Sequence, residues 1–196
     1  MKCSRCGNDA VIVQDYAGVA LCSRHAAADI EAKAKREVRK CGGITSGEKL
    51  FIMGGGSAES HALSTLLSVI LAGRRDITFT TDVASATAVV TADTLDDIAE
   101  HLLCQVCRGD AAELLAVPEK KTLRPLSVVP RTEVCFYARH HGWTGDCSTQ
   151  DSSAFCSDIA AFLKTFSADH PSAAYALKRI SDQLPDLYLE RQNHAV

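Results

Sequence analysis

Hydrophobic residues recur along the chain with two different periods, and the changes between them mark the predicted elements. Short apolar runs are typical of buried strands, and apolar residues spaced three or four apart are typical of helices. Strands are predicted at 10–13, 18–21, 48–53, 77–81 and 88–91, with a further strand inside a Pro-bounded connection over 110–129. Helices are predicted at 26–40, 62–71, 94–108, 131–140, 152–166 and 171–184, before a short polar tail over 185–196. From residue 44 onward strands and helices alternate, which predicts an α/β domain with a parallel sheet.

The first 25 residues carry two close pairs of metal-ligand side chains. Cys3 and Cys6 form one pair, and Cys22 and His25 form the other, each with two residues between its members. Two short strands lie between the pairs, but a segment of this size buries too little apolar surface to fold alone. Bound zinc would supply the missing free energy, and four protein ligands leave no open position for catalysis. The sequence therefore predicts a structural zinc site.

Three segments are predicted on this basis: a zinc-binding module over 1–25, a basic linker helix over 26–43 and an α/β domain over 44–196. Basic residues cluster toward the end of the linker helix, namely Lys33, Lys35, Arg36, Arg39 and Lys40. They are interpreted in two ways, as a solvated face that complements the helix dipole or as a patch that contacts phosphates.

The amino-acid composition and the net charge exclude several classes of protein. Hydrophobic residues make up 46% and charged residues 23%, which excludes wholesale disorder, and a net charge of −3 excludes a global basic field for nucleic acid. The longest stretch without a charged side chain, residues 60–73, is too short and too polar to span a bilayer, and no signal peptide is visible, so we expect a cytoplasmic protein. In that compartment a disulfide framework is not expected, so metal binding or thiol chemistry is the leading account of the clustered cysteines among the nine.

A glycine-rich turn joins the strand over 48–53 to an apolar helix. Strand, glycine turn and helix N-terminus together present backbone N–H groups to an anion, although this order also arises for steric reasons alone. The candidate phosphate-binding residues are Gly55, Gly56, Ser57, Glu59 and Ser60. Asp96 and Asp97 open a later helix, where they either favour the helix dipole or line the same edge of the sheet as this turn.

Several motifs in order resemble the PP-loop ATP pyrophosphatases that 2-thiolate tRNA uridines, of the TtuA and NcsA kind. The paired Cys/His motif, the Gly47-Glu48-Lys49 tripeptide, the glycine turn and a stretch from Asp93 to Asp110 occur in the family's order. The resemblance implies a shortened PP-loop (HUP-type, Rossmann-like) parallel sheet with flanking helices behind an N-terminal zinc finger. It also implies ATP with Mg²⁺ as ligands, tRNA or a thiolation protein as partner, and a homodimer.

The departures from the family's pattern concern the residues that carry its chemistry. The family's SGGxDS loop is replaced by Gly55-Gly56-Ser57-Ala58-Glu59-Ser60, and Ser57 is expected to have difficulty reaching the backbone angles of a phosphate-facing turn. The segment that carries the family's catalytic CxxC is missing between residues 60 and 93. The resemblance therefore leaves Cys147 as the candidate catalytic residue.

A relocated CxxC occurs at Cys104 and Cys107. These thiols are interpreted either as small core residues or, with Cys147, as a second metal or iron–sulfur site. Cys135 and Cys156 lie at apolar positions of their helices and are expected in the core.

The sequence favours a tRNA 2-thiolation PP-loop ATPase-related protein that is degenerate and acts in nucleotide, tRNA or partner binding. The alternatives are an active ATP-dependent tRNA sulfurtransferase with an altered loop, or a small metal or iron–sulfur protein that uses Cys104, Cys107 and Cys147.

Overall fold

The computed structural model describes residues 1–116, 118–147 and 153–193. Its strands are β1 (Ile12–Gln14), β2 (Val19–Leu21), β3 (Lys49–Met53), β4 (Thr78–Thr80), β5 (Ala88–Thr91) and β6 (Lys121–Leu123). Its helices are α1 (Ser23–Lys40), α2 (Ala58–Ile70), α3 (Leu95–Arg108), α4 (Ala111–Leu115), α5 (Arg131–His140), α6 (Ala154–Asp169) and α7 (Ala173–Asn193). None of the helices described is both long enough and apolar enough to cross a membrane.

β1 and β2 form the predicted hairpin before α1. They pair antiparallel, with Ile12 opposite Leu21 and Gln14 opposite Val19. Gly18 closes the connection at a φ of 64°, in the left-handed region that side chains with a Cβ rarely occupy. Two strands this short are not stable by themselves, so the hairpin depends on its neighbours.

The other four strands form one parallel sheet in the order β4-β3-β5-β6, as the alternation of elements predicts. β5 is buried along its whole length, which is typical of a central strand in a parallel α/β sheet. β3 and β5 are the two central strands, and Met53 is in register with Thr91. The connections that leave these two strands therefore start side by side at one edge of the sheet.

The chain divides into two compact units. The first contains residues 1–94 and 120–148, and its core gathers apolar residues of α1, α2, α5 and the sheet, including Ile30, Leu63, Leu66, Val90 and Tyr137. The second contains residues 95–119 and 149–196, and in its described part α3 contacts α6 and α7. The boundaries at residues 25 and 43 stay a prediction.

One expectation about the later elements is incomplete and another is wrong. The connection over 110–129 contains the predicted strand, β6, and also a short helix, α4. α7 does not stop before Pro185 but continues to Asn193 with the proline inside it, where the proline lacks an N–H for the helix ladder. Contacts of α7 with α3 and α4 offset that loss. The predicted start of α6 at residue 152 and the last residues of the tail, 194–196, lie outside the described residues.

Candidate functional site

Four side chains of the N-terminal module converge on one point. Cys3 and Cys6 lie on the turn before β1, Cys22 is the residue that precedes α1, and His25 lies in the first turn of that helix. Their ligand atoms all lie within 4.8 Å of one another. The His25 Nδ1 atom is 3.4 Å from the Sγ atoms of both Cys3 and Cys22, and the Sγ atoms of Cys6 and Cys22 are 3.7 Å apart. The predicted group is therefore assembled as a metal-binding site.

The hydrogen bonds around these sulfurs prepare one of them to be a thiolate. Burial by itself raises the pKa of Cys3, but hydrogen bonds from the backbone of Cys22 and Arg5 and from the His25 side chain outweigh burial and lower it to about 5. The pKa of Cys6 is raised, because burial and the neighbouring sulfurs outweigh a backbone hydrogen bond from Asn8. A cation among the sulfurs would favour the thiolate form of all of them.

A buried ionic network ties this module to the helices behind it. Glu133 on α5 accepts hydrogen bonds from the Gln14 side chain (3.0 Å) and the Tyr16 hydroxyl (2.5 Å), and Lys33 on α1 lies 3.3 Å from the same carboxylate. Lys33 also donates to Tyr16 (2.6 Å) and pairs with Asp29 (2.8 Å). Sequence reasoning missed this network, since its residues are up to 119 positions apart and no motif links them.

The network also changes the interpretation of the basic run on α1. Lys33 is a structural cation, with only 13% of its side chain exposed. Arg36, Arg39 and Lys40 are exposed at the end of the same helix. The run is therefore split between a buried contact and an exposed patch.

The glycine turn lies where the sequence places it, at the carboxyl end of β3. Gly54 and Gly56 have positive φ angles of 102° and 76°. A Cβ on Gly54 would come within 3.1 Å of the Ser60 hydroxyl, so the turn is close-packed at that point. Ser57 has an ordinary extended backbone, with φ −115° and ψ 164°. The structure therefore shows no backbone strain at Ser57, and the expectation about the angles of a phosphate-facing turn stays a prediction.

Ser57 instead changes what the start of α2 can bind. Its hydroxyl oxygen accepts a hydrogen bond from the Ser60 backbone N–H at 3.2 Å and its O–H donates to the Ser60 side chain at 3.3 Å. Glu59 adds a carboxylate to the first turn of α2. The chain itself thus gives the N-terminus of α2 a hydrogen-bond acceptor and a negative charge. A bound anion would otherwise provide both.

The carboxyl end of β5 carries its own polar residues. The Thr91 hydroxyl donates to Asp93 at 2.6 Å, and Arg124 lies 3.6 Å from the same carboxylate. Asp96 and Asp97 belong to the second unit, in the first turn of α3, where acidic residues are typical of a helix N-terminus. Their assignment as ligand-binding residues stays a prediction.

The cysteines outside the N-terminal module are arranged differently from the predicted second site. Cys104 forms a disulfide with Cys156, and Cys135 forms one with Cys147, so two of the three sulfurs of the predicted set are not available as thiolates. Cys107 is exposed rather than in the core, and Cys135 and Cys156 are half-buried. The structure therefore contradicts the alternative of a cluster at Cys104, Cys107 and Cys147, and the expected lack of disulfides is wrong. Each disulfide lies within one unit, where the fold brings distant cysteines together.

Comparisons with known proteins agree with these features. Residues 2–25 match the family model of the 2-thiouridine synthetase TtuA N-terminal LIM domain. The U34-tRNA thiolase NcsA from Methanococcus maripaludis, solved with its [4Fe-4S] cluster, has a similar structure, with a TM-score of 0.81 at 14% identity over 95% of this chain and 88% of that one. No curated protein matches the sequence. The resemblance drawn from the motifs is confirmed: residues 2–25 are similar to the TtuA N-terminal LIM domain, and the chain is similar in fold to the solved NcsA structure.

Proposed function

We propose that this chain is a tRNA 2-thiolation-related protein that binds tRNA but does not activate it with ATP. The LIM module and the fold support the relation to thiolases. The observation that carries the loss of catalysis is the capping of α2 by Ser57, because it uses the N–H group that a phosphate-binding loop keeps for its ligand. The pairing of Cys147 with Cys135 supports the same conclusion, since it removes the candidate catalytic thiol.

The metal of the N-terminal module is proposed to be one Zn²⁺ ion with a structural role. Tetrahedral zinc with Zn–S bonds of about 2.3 Å and Zn–N bonds of about 2.0 Å places two sulfurs about 3.8 Å apart and a sulfur and nitrogen about 3.5 Å apart. The separations of 3.7 and 3.4 Å fit these values. A [4Fe–4S] cluster binds each of its four ligands to a different iron, and a [2Fe–2S] cluster divides them between two irons. Either cluster spreads its ligands further than the 4.8 Å within which these four ligand atoms lie.

ATP binding should be weak because the phosphates would face a capped helix and the Glu59 carboxylate. Calorimetry with ATP and Mg²⁺ tests this. Ser57→Gly removes the capping hydroxyl, and we expect it to strengthen binding several-fold. Ser153→Gly is the matched control, because Ser153 caps α6 in the same way, by accepting from the Cys156 N–H at 3.4 Å. Micromolar binding by the unaltered chain, with AMP or pyrophosphate released in the presence of tRNA, would refute the loss of catalysis.

tRNA binding is proposed to use the exposed cations at the end of α1. Each phosphate contact adds to the salt dependence of binding, so Arg36→Ala combined with Arg39→Ala should weaken binding about tenfold at 0.1 M salt and lower the salt slope by about 2. The control removes two cations of the second unit, Lys164 and Arg179, and should leave the affinity unchanged. Filter binding with unmodified tRNA measures both, and equal effects of the two double variants would contradict an RNA site on α1.

A further inference from the structure

The second unit holds a disulfide and a free thiol on the same turn of one helix. Cys104 of α3 is bonded to Cys156 of α6, and Cys107 lies one helical turn after Cys104. Cys107 is exposed, and among the described residues of this unit it is the only free cysteine. These three residues are separate from the metal-binding module, and we call them the three-cysteine group.

Cys104 lies within bonding reach of both of the other cysteines. Its Cα atom is 5.7 Å from the Cα atom of Cys156. Residues three apart in an α-helix have Cα atoms about 5 Å apart, and disulfides join Cα atoms separated by about 4.4–6.8 Å. Cys107 is the last residue but one of α3, where a helix end frays and its backbone can adjust. The fold therefore offers Cys104 two partners, of which only one can be bonded at a time.

Burial favours Cys107 as the thiol that attacks Cys104. Only 3% of Cys104 is exposed, so a thiol in solution has little access to its sulfur. The Cys107 thiol is exposed to water, where it can lose its proton, and the common helix holds it near Cys104. Thiol–disulfide exchange depends on the thiolate and on access to the attacked sulfur. Cys107 meets both requirements.

α6 has little buried surface to hold it in its unit. Leu163 is the only one of its 16 residues that is buried. Three large side chains of the helix are 41%, 55% and 42% exposed, namely Phe155, Phe162 and Phe166. Most of the stability of a helix in a protein comes from packing of its apolar face. The position of α6 therefore depends on bonds other than apolar contacts.

Two such bonds join α3 to α6. One is a hydrogen bond of 2.7 Å from Arg108 to the Ser153 hydroxyl, but it lies at the surface, where water competes for both groups. The other is the disulfide between Cys104 and Cys156, which closes a loop across 52 positions. Breaking this disulfide removes the strongest link between the two helices.

We propose that the three-cysteine group is a thiol–disulfide exchange site that switches α6 between a tied and a released state. Cys107 gives its proton to water, and its thiolate attacks the Sγ atom of Cys104. The bond between Cys104 and Cys107 forms as the bond between Cys104 and Cys156 breaks, and the Cys156 sulfur leaves as a thiolate that takes up a proton. One disulfide and one thiol are present before and after, so the step needs no oxidant or reductant.

Slow alkylation of the full oxidised chain tests the exchange, because it shows which cysteine carries the free thiol. Iodoacetamide at low concentration and about pH 8 traps the thiol, and mass spectrometry of the digested protein identifies the labelled cysteine and the remaining disulfide. We expect molecules with the label on Cys156 and a bond between Cys104 and Cys107. In Cys107→Ser the label on Cys156 should fall at least about tenfold, because the attacking thiol is gone.

The disulfide between Cys135 and Cys147 is the matched control within the same molecule. Cys135 is the only cysteine of α5, so this disulfide has no free thiol on its own helix. Neither of its sulfurs should be labelled. A chain without label on Cys156, equal label on Cys156 in Cys107→Ser, or equal label on Cys147 and Cys156 would overturn the exchange.

Hydrogen exchange of the α6 amides tests the release of the helix. Cys156→Ser removes the tie, and Cys107→Ser keeps it. The amides of residues 154–169 should therefore exchange at least about tenfold faster in Cys156→Ser than in Cys107→Ser. Cys147→Ser breaks the other disulfide and should leave these amides unchanged. Circular dichroism should show at most the loss of one helix in each variant.

Equal exchange of the α6 amides in Cys156→Ser and Cys107→Ser would overturn the switch, since the disulfide would then not hold the helix. None of these measurements involves tRNA or ATP. The proposed function can therefore fail while the exchange site stands, and the exchange site can fail while the proposed function stands.

Discussion

Replacing Lys33 with methionine tests the buried network that joins the metal-binding module to the core. The Lys33 ammonium makes three contacts, with Asp29 at 2.8 Å, with the Tyr16 hydroxyl at 2.6 Å and with Glu133 at 3.3 Å. Methionine keeps most of the chain length and removes the cation. The Glu133 carboxylate, whose side chain is only 4% exposed, then stays buried without a cation and keeps only hydrogen bonds from uncharged donors.

The cost of this change follows from the charge that is left behind. Removing one partner of a buried ion pair typically costs about 3–5 kcal/mol, because the other charge stays out of water. Gln14 and Tyr16 still donate to Glu133, and each such bond contributes about 1 kcal/mol, so we expect a loss near the lower limit, about 3 kcal/mol. Glu133→Gln should cost about 2 kcal/mol, and the double variant only about 3 kcal/mol, which gives a coupling energy of about 2 kcal/mol.

Urea unfolding at pH 7 with a constant excess of zinc measures the free energies of unfolding of the four proteins. Lys2→Met is the matched control, because Lys2 also lies 2.8 Å from a carboxylate, that of Asp9, but both side chains are more than two-thirds exposed. Lys2→Met should lower the free energy of unfolding by less than about 1 kcal/mol. If Lys33→Met and Lys2→Met cost the same, or if the double variant equals the sum of the single variants, the network contributes no more than surface ion pairs and the reasoning is wrong.

Three further outcomes follow from the site and its surroundings. Cys22→Ser should abolish zinc binding and unfold residues 1–25 while most of the helical circular dichroism remains; one equivalent of zinc retained in this variant would falsify the ligand assignment. Five of the nine cysteines should react with a thiol reagent in denaturant with chelator, and all nine after reduction, whereas nine reactive thiols without reduction would exclude the two disulfides. Burial raises the pKa of Glu48 but the hydrogen bond from Lys121 lowers it below the usual 4.5, so Glu48 stabilises the fold above that pH and the contribution is lost as the pH falls. Glu48→Gln should therefore flatten the stability profile between about pH 5 and pH 3, and an unchanged profile would show that Glu48 is not the group responsible.

Most of the fold could be predicted from local pattern. The strand β5 and the helix α5 have the predicted bounds, because each is a short apolar or amphipathic run between strong breakers. The parallel sheet follows from alternation, since a strand that is joined to the next through a helix returns in the same direction. The four metal ligands were predictable for a different reason. The spacing of two close Cys/His pairs indicates a metal site by itself, whatever the rest of the chain contains.

Features that depend on contacts between distant residues could not be predicted in this way. Gln14 and Glu133 meet across 119 positions, and Cys104 meets Cys156 across 52. Local pattern describes Glu133 as a charged residue in a helix and Cys156 as an apolar residue. Neither description includes the distant contact, an ionic network for Glu133 and a disulfide for Cys156, that determines the structural role of the residue. Pro185 was predicted as a stop for the same reason, because contacts of α7 outside the local sequence offset the missing hydrogen bond.

The glycine turn combines a feature that the local sequence predicts with one that depends on a side-chain contact. The resemblance places a glycine where this chain has Ser57, and the expected consequence was a difficulty in reaching the backbone angles of a phosphate-facing turn. The structure places the effect on the side chain, because an extended Ser57 is unstrained and its hydroxyl caps α2 through the Ser60 N–H. A helix N-terminus has few N–H groups without an internal partner, and one that is given to a capping oxygen is lost to a phosphate. Under the proposed function, the capping serine stabilises α2 and weakens phosphate binding at its N-terminus, which would link the stability of this fold to the loss of ATP-dependent activity.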